Sequence, residues 1–194
     1  MHFRLTQKLA KKIKEPVSLQ TLNVHQNLLA DWTANLFTAA RAQYVIVCNT
    51  ATMFSCLFHG AGVSNDDKFI KAALQAIRDA MKDEGLEEIY LDKIVPATRS
   101  IRFGKSLNRS VTGSVTEQVT AAKARLEDGD LAPYQAADQI NNNLLSYLGE
   151  KQGDYGRPRE VFHALCQRMI SPPPVFEGDL PPNVLKFEKP KRRS

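Results

Sequence analysis

One stretch of the sequence, residues 93–116, gathers the side chains that anion binding requires. It reads KIVPATRSIRFGKSLNRSVTGSVT and contains five basic residues and no acidic residue. An S-x-x-E pattern near its end predicts a helix that starts at Ser114. A helix N-terminus offers unpaired N–H groups and a positive dipole end, so an anion can bind there beside basic side chains. The candidate anion-binding residues are Arg99, Arg102, Lys105, Arg109, Ser110, Thr112, Gly113 and Ser114.

The same residues also have a purely structural interpretation, which the sequence favours. Gly113 would form a turn, Ser114 would cap the helix, and the Glu117 carboxylate would occupy the remaining N–H groups and repel an anion. A P-loop is excluded, because the position that this motif requires to be the first glycine is Arg99. The anion site stays open as the alternative.

Metal binding and nucleophilic catalysis have little support in the sequence. The pairs C-x-x-H at 56–59 and H-x-x-C at 163–166 have zinc-like spacing. The first pair lies on a predicted strand, however, where residues three apart point to opposite faces and cannot converge on one ion. Asp31 or His25 is the best general base available to an enzyme, and neither has a nucleophile near it in sequence. The sequence therefore predicts no metal, no cofactor and no identifiable catalytic residue.

Length and composition predict one domain, residues 1–170, followed by a tail at 171–194. The chain has 194 residues, of which 43% are hydrophobic, enough to form a core. The tail is rich in proline and lysine, and we expect it to be disordered and flexible. No apolar run approaches the ~18 residues of a membrane span, and the N-terminal stretch lacks the apolar segment of a secretory signal. We therefore expect a cytoplasmic protein that does not bind membranes.

Positive charge is concentrated in three parts of the chain. Residues 1–14 contain five basic residues and no acidic residue, and residues 186–194 contain five basic residues and one acidic residue. The interior, residues 15–185, contains 16 basic and 20 acidic residues, a net charge of −4 against +5 for the whole chain. Basicity is thus a property of the two ends and of the 93–116 segment, and not of the whole surface.

The hydrophobic pattern predicts strands in the first hundred residues and helices after them. Strands are predicted at 2–5, 31–36, 44–48, 53–58, 89–95 and 101–103, and helices at 7–13 and 65–84, from Ser114, from Pro133 to Gly149 and from Pro158 to Pro172. The short connections between 31 and 58 favour an antiparallel meander, and the apolar run 44–48 indicates a strand covered on both faces. The predicted fold class is α+β, a small and mostly antiparallel sheet packed by about four helices.

Three segments give the chain a family resemblance. They are MHFRLTQKLAKKIK at the start, DWTANLFTAARAQYVIVCNT, and RFGKSLNRSVTGSV, in which NRSVTGS is the most distinctive part. Together they resemble an uncharacterised bacterial family that is known only as a domain of unknown function. The resemblance covers roughly residues 1–170 and implies a small cytoplasmic bacterial domain, with no activity, ligand or site residue to carry over. The proline-rich basic tail departs from the family pattern.

Three hypotheses for function follow from these observations. The first is a binding protein that recognises nucleic acid or another polyanion through the segment from Arg99 to Ser114. The second is a small enzyme that acts on a phosphorylated or carboxylated substrate at the Ser114 helix start. The third is a protein-interaction module, one half of a two-gene system, whose tail becomes ordered on its partner. The sequence favours binding over catalysis, because segregated charge is visible and a catalytic pair is not.

Overall fold

A five-stranded sheet with the strand order β4-β3-β2-β1-β5 forms the centre of the fold. The computed structural model describes residues 1–15, 19–128, 131–149 and 154–170, so the tail predicted from residue 171 lies outside the described residues. The strands are β1 (His2–Leu5), β2 (Asp31–Ala39), β3 (Ala42–Asn49), β4 (Ser55–His59) and β5 (Arg102–Gly104). The pairs β2–β3 and β3–β4 are antiparallel, whereas β1 pairs parallel with both β2 and β5. The predicted meander is confirmed, and β1 makes the complete sheet mixed.

Helices supply the rest of the described structure, and the predicted α+β class is confirmed. They are α1 (Gln7–Lys12), α2 (Asp66–Asp83), α3 (Glu87–Ile89), α4 (Arg109–Asp128), α5 (Pro133–Ile140) and α6 (Pro158–Ile170). Short α3 continues into a π-helical turn at Tyr90–Ile94 and a 3₁₀ turn at Val95–Arg99. Within the described ranges, no helix is both long and apolar enough to cross a membrane.

The sheet separates two hydrophobic cores. Residues of α1, α2 and α6 pack on one face, and residues of α4 and α5 pack on the other. Side chains of β3 alternate between them, with Val45 and Val47 in the first core and Ile46 and Cys48 in the second. This arrangement confirms that the apolar run 44–48 is covered on both faces.

The long helix α2 agrees with its prediction apart from the residue that caps it. The buried side chains of this helix are Phe69, Ala73, Ile77 and Met81. Asn65 is the cap, because its side-chain oxygen accepts a hydrogen bond from the N–H of Lys68 at 3.0 Å. The S-x-x-D pattern at 64–67 predicts Ser64 as the cap, which is one residue too early. Gly85 follows the helix with φ of +72°, as a residue that ends a helix commonly does.

The strand predicted at 89–95 is wrong, because this segment is helical. Ile89, Tyr90 and Ile94 are buried there against the same core as α2, and the Tyr90 hydroxyl donates a hydrogen bond to the Leu74 carbonyl at 3.4 Å. A short apolar run does not distinguish a strand from a buried helical turn by its pattern alone. Packing against α2 decided the conformation.

Helix α4 begins at Arg109, so the start predicted at Ser114 is wrong. The Asn108 side chain caps the earlier start, because its Oδ1 accepts a hydrogen bond from the N–H of Val111 at 2.9 Å. Gly113 lies inside the helix, and Ser114 is buried at 7% exposure. Four apolar side chains of this helix, Val115, Val119, Ala122 and Leu126, are buried.

Helix α5 is shorter than predicted and ends at Ile140 instead of Gly149. Asn141, the next residue, is buried at 2% exposure and turns its side chain toward β4. Leu144, which falls within the predicted helix, is 55% exposed. The pattern from 133 to 148 thus combines one helix with a following turn.

Candidate functional site

The four arginine and lysine residues predicted to bind an anion lie on successive elements and reach solvent. Arg99 ends the 3₁₀ turn, Arg102 lies on β5, Lys105 follows β5, and Arg109 is the first residue of α4. All four are exposed, and none of them forms an ion pair with another described residue. Their positive charge is therefore not neutralised by a neighbouring carboxylate in the described parts of the chain.

The other predicted anion-binding residues differ in their position relative to the observed start of α4. Ser110 and Thr112 are exposed in the first turn of α4, whereas Gly113 and Ser114 lie deeper in the helix. Thr112 Oγ1 donates a hydrogen bond to the Asn108 carbonyl at 3.0 Å. The N–H groups without helical partners therefore lie before Gly113, and the helix N-terminus proposed at Ser114 does not exist.

A small cavity lies beside this helix start. Its lining residues are Thr6, Thr33, Asn35, Ser106, Thr112, Val115 and Thr116, and its volume is about 20 Å³. That volume accommodates about one water molecule. The cavity is too small for a phosphorylated or carboxylated substrate.

A buried ion pair joins β1 to β2. Arg4 and Asp31 are exposed by 0% and 1% and form two hydrogen bonds, Nε to Oδ1 at 2.7 Å and Nη2 to Oδ2 at 2.8 Å. The same carboxylate accepts hydrogen bonds from the His25 N–H at 3.0 Å and the Thr50 hydroxyl at 2.9 Å. Burial alone would raise the pKa of Asp31, but the hydrogen bonds from Arg4, His25 and Thr50 lower it below its usual value. A carboxylate held ionised by these donors is a structural group and a weak general base.

Two histidines lie next to this pair. The rings of His2 and His25 meet edge to face, with centroids 4.8 Å apart. Burial lowers the pKa of both imidazoles, and the neighbouring His25 lowers that of His2 further. His25 Nδ1 lies 3.0 Å from both the N–H and the carbonyl of Asn27, so it accepts a hydrogen bond from the N–H in one tautomer and donates one to the carbonyl in the other. No described serine or cysteine contacts either ring, so these histidines do not form a nucleophile–base pair.

A groove of about 660 Å³ runs along the outer edge of β4 between α2 and α5. We call it the β4 groove. Its lining residues are Phe54, Ser55, Cys56, Leu57, Phe58, Ala72, Gln75, Ala76, Asp79, Ala80, Asp83, Glu84, Leu131, Tyr134, Gln135, Ala137, Asp138, Gln139 and Asn141. Its volume lies in the range of known ligand sites, which is about 300–1,000 Å³.

The backbone of β4 presents hydrogen-bonding groups to this groove. Asn49 N–H donates to the Phe54 carbonyl and Gly60 N–H to the Gln43 carbonyl, so the even-numbered residues of β4 pair with β3. In an antiparallel strand the intervening residues direct both backbone groups the other way. The N–H and carbonyl groups of Ser55, Leu57 and His59 therefore face outward.

One of these outward-facing positions is occupied by a side chain. Asn141 Oδ1 accepts a hydrogen bond from the Ser55 N–H at 2.7 Å, and its Nδ2 donates to the Ser55 carbonyl at 3.0 Å. The amide thereby replaces a neighbouring strand at this position. At Leu57 no hydrogen bond from another described residue reaches either backbone group, although Leu57 is only 4% exposed and lies on the groove floor.

Carboxylates give the β4 groove its charge. Asp79, Asp83, Glu84 and Asp138 line it, whereas no lysine or arginine does so among the described residues. Arg159 of α6 contacts two of these acids, Glu84 through Nε at 2.8 Å and Asp138 through Nη2. It thereby connects α2 with α5 at one end of the groove. Asp79 and Asp83 contact no cationic group in the described parts of the chain.

The groove has few groups that could perform covalent chemistry. Burial raises the pKa of Cys56 well above its usual value and that of the adjacent Cys48 to about 12, so both thiols stay protonated and unreactive. His163 Nε2 lies 2.8 Å from Glu84 Oε2. It therefore shares the Glu84 carboxylate with Arg159. No group of three metal-ligating side chains occurs within the described residues.

The β4 groove is not predictable from the local sequence. Its acids are four among the 21 of the chain, and no local pattern distinguishes them from solvated helix residues. Asp79 and Asp83 are four residues apart on α2, which places them on one helix face. That spacing was the one available signal, and without knowledge of the neighbouring edge strand it carries little information.

Comparisons with known proteins give one finding. Neither the curated proteins nor the solved structures include a significant match to this chain. A family model does match residues 2–161, and its description is a domain of unknown function, DUF6933. Because the match covers most of the 194 residues, the chain belongs to the DUF6933 family.

Proposed function

We propose that this chain is a cytoplasmic protein-interaction module whose β4 groove binds an extended, positively charged peptide segment. The observation that carries the proposal is the backbone of Leu57, which lines the groove and forms no outward hydrogen bond to any described residue. Burying a backbone N–H or carbonyl without a partner costs about 1–3 kcal/mol. A ligand that supplies both a donor and an acceptor along an extended line removes this cost.

An added strand has the geometry that the groove requires. A peptide that pairs with an exposed sheet edge gains main-chain hydrogen bonds, and its alternate side chains enter the flanking pockets. Ala72 and Ala76 of α2 and Ala137 of α5 keep the walls low beside the edge. The Asn141 contact with Ser55 ends the sheet on one side, so pairing begins at Leu57 and continues toward exposed His59.

The negative charge of the groove favours a positively charged peptide. Asp79 and Asp83 contact no described cation and lie beside the groove, so lysine or arginine side chains of a ligand gain attraction there. An anionic peptide would meet four carboxylates and, among the described lining residues, no lysine or arginine. A catalytic alternative has weaker support, because the Ser114 helix start is absent and Asp31 is bound to Arg4.

Titration of the ¹⁵N-labelled full chain with a synthetic peptide of about eight alternating lysine and valine residues tests the proposal. We expect NMR shifts at the Leu57 and His59 amides and in α2 and α5, because these groups contact the added strand. N-methylation of the peptide amides that face the edge removes its donors and should abolish the shifts. Methylation of the alternate amides should not.

Charge variants provide the control. Asp83→Lys should weaken peptide binding about 3- to 10-fold, whereas Glu117→Lys, the same charge change on the exposed part of α4, should leave it unchanged. Shifts confined to residues 99–112, or equal effects of both variants, would refute the β4 groove as the site.

A second candidate function is polyanion binding by the 93–116 segment. The observation that favours it is that Arg99, Arg102, Lys105 and Arg109 are exposed without ion pairs to described residues. Contacts of this kind release counterions, so affinity for single-stranded RNA or DNA should fall steeply with salt.

The double variant Arg102→Gln, Arg109→Gln should remove most of this affinity and lower the slope of log K against log salt by about two. Fluorescence anisotropy with a labelled oligonucleotide measures both quantities. The variant Lys71→Gln, Arg78→Gln, which loses the same charge from exposed positions on α2, is the control. Equal losses in the two double variants would show that binding does not depend on the 93–116 segment.

A further inference from the structure

Residues 183–194 of this chain have the properties that the β4 groove requires of a ligand. We infer that this C-terminal segment occupies the groove of its own chain, as a strand paired to the β4 edge. The inference rests on the proposed function of the groove. It names the occupant, which neither the fold nor the family assignment supplies.

The charge of the segment is opposite to the charge of the groove. The segment NVLKFEKPKRRS contains five basic residues and one acidic residue, the highest density of positive charge in the second half of the chain. The groove is lined by four carboxylates, and Asp79 and Asp83 contact no cation in the described residues. The basic C-terminal segment and the acidic groove therefore have complementary charge.

The order of residues in the segment is suited to a paired strand. Residues 183–189 form a stretch without proline between Pro182 and Pro190, and a paired strand requires such a stretch because proline cannot donate to the ladder. Leu185 and Phe187 alternate with Lys186 and Glu188, the period-two pattern of a strand with one apolar face. The outward backbone at Leu57 and His59 needs a partner of only about this length.

The chain between α6 and the segment is long enough to reach the groove. Helix α6 starts beside the groove, since its residues Arg159 and His163 both contact Glu84. Its 13 residues span about 20 Å, so Ile170 lies within roughly that distance of the Glu84 contact, plus the length of a side chain. Residues 171–182 extend to as much as about 40 Å. The segment can therefore return to the groove of its own chain.

Occupancy by the same chain has a measurable consequence. A tethered segment acts at an effective concentration on the order of millimolar, so it competes strongly with a free peptide for the same site. An external peptide should bind tightly only after the segment has been released.

The experiment measures binding of a fluorescein-labelled peptide with the sequence 183–194 to three full-length chains. They are the natural chain, the variant Leu185→Asp, Phe187→Asp, and the control variant Val175→Asp, Phe176→Asp, which makes the same change outside the 183–189 stretch. We expect the 185/187 variant to bind the peptide at least about 10-fold more tightly than the other two. Adding Asp83→Lys to this variant should reverse the gain.

Each other outcome is decisive. Equal affinity for all three chains would overturn occupancy by the chain's own segment while leaving the groove as a peptide site. Binding of the lysine–valine peptide but not of the 183–194 peptide would overturn the identity of the occupant alone. Binding of neither peptide to the 185/187 variant would overturn the proposed function as well. A natural chain that is dimeric by light scattering, with a monomeric 185/187 variant, would assign the segment to a second copy and refute occupancy within one chain.

Discussion

Arg4 is the residue whose charge is most completely enclosed by the fold. Besides its two hydrogen bonds to Asp31, its guanidinium donates to the carbonyls of Leu22 at 3.0 Å and Asn23 at 2.9 Å. Four hydrogen bonds thus replace the water that the cation loses on burial. A charge buried in this way contributes to stability only while its partners are present, because its desolvation is costly.

Replacing Arg4 by methionine should therefore destabilise the protein by about 3–5 kcal/mol, because the Asp31 carboxylate stays buried without its partner. Arg102→Met on the adjacent strand β5 removes an exposed charge and should change stability by less than about 0.5 kcal/mol. Urea denaturation followed by circular dichroism measures both changes. Similar midpoints for the two variants would show that the ion pair contributes nothing to folding.

At the scale of elements, the start of α4 determines where free N–H groups are available to the predicted anion site. The S-x-x-E pattern at Ser114 and the Asn108 side chain are both good caps, and local sequence does not choose between them. Burial chooses between the two caps. Val111 is 0% exposed in the second core, and it needs a helical backbone to reach that core. Five more helical residues thereby move the free N–H groups away from Gly113 and Ser114.

Two glycine substitutions test this helix start. Gly113→Ala should stabilise the protein by about 0.5–1 kcal/mol, because alanine is the better helix former and its Cβ meets nothing within 4 Å. Gly85→Ala should destabilise it by about 1–2 kcal/mol, because Gly85 has φ of +72°. Thermal and urea unfolding of both variants give the comparison. If Gly113→Ala destabilised the protein as Gly85→Ala does, Gly113 would be in a turn and the helix would begin at Ser114.

At the scale of the whole molecule, a polar cluster with a buried ion pair and two half-buried histidines adjoins the hydrophobic cores. The Arg4–Asp31 pair and the rings of His2 and His25 join β1, β2 and the segment before β2. Unfolding must expose this cluster along with the cores. Global stability should therefore depend on the protonation of its members.

Stability should decrease as the pH falls from about 7 to 5. The pKa values of His2 and His25 are lowered in the folded protein, so the unfolded chain binds more protons once the pH falls below about 6.5. The lowered pKa of Asp31 adds a second loss of stability, which begins near pH 4 and continues as the pH falls through the folded value. Urea midpoints measured from pH 7 to below pH 4 report both effects.

The double variant His2→Gln, His25→Gln is the control for the pH profile. It should flatten the profile between pH 7 and 5 and leave the acid branch below pH 4 in place. A natural chain whose urea midpoint is constant or rises between pH 7 and 5 would contradict the prediction.

The sequence by itself determined the elements whose signal is local. Period-two and helical patterns located the strands at 2–5 and 44–48 and the helices α2 and α6, and charge counting identified the exposed basic segment. The same reasoning failed for 89–95, where a short apolar run fits both a strand and a helical turn.

Only the tertiary structure decided the groove and the groups that line it. Asn141 contacts Ser55 across 86 positions of sequence, and Arg4 contacts Asp31 across 27. Which strand lies at a sheet edge, and which helices flank it, depends on how distant segments pack, whereas periodicity reports only on neighbouring residues. The residues that are candidates for chemistry in the sequence and the residues that form a concave site in the fold are therefore different sets.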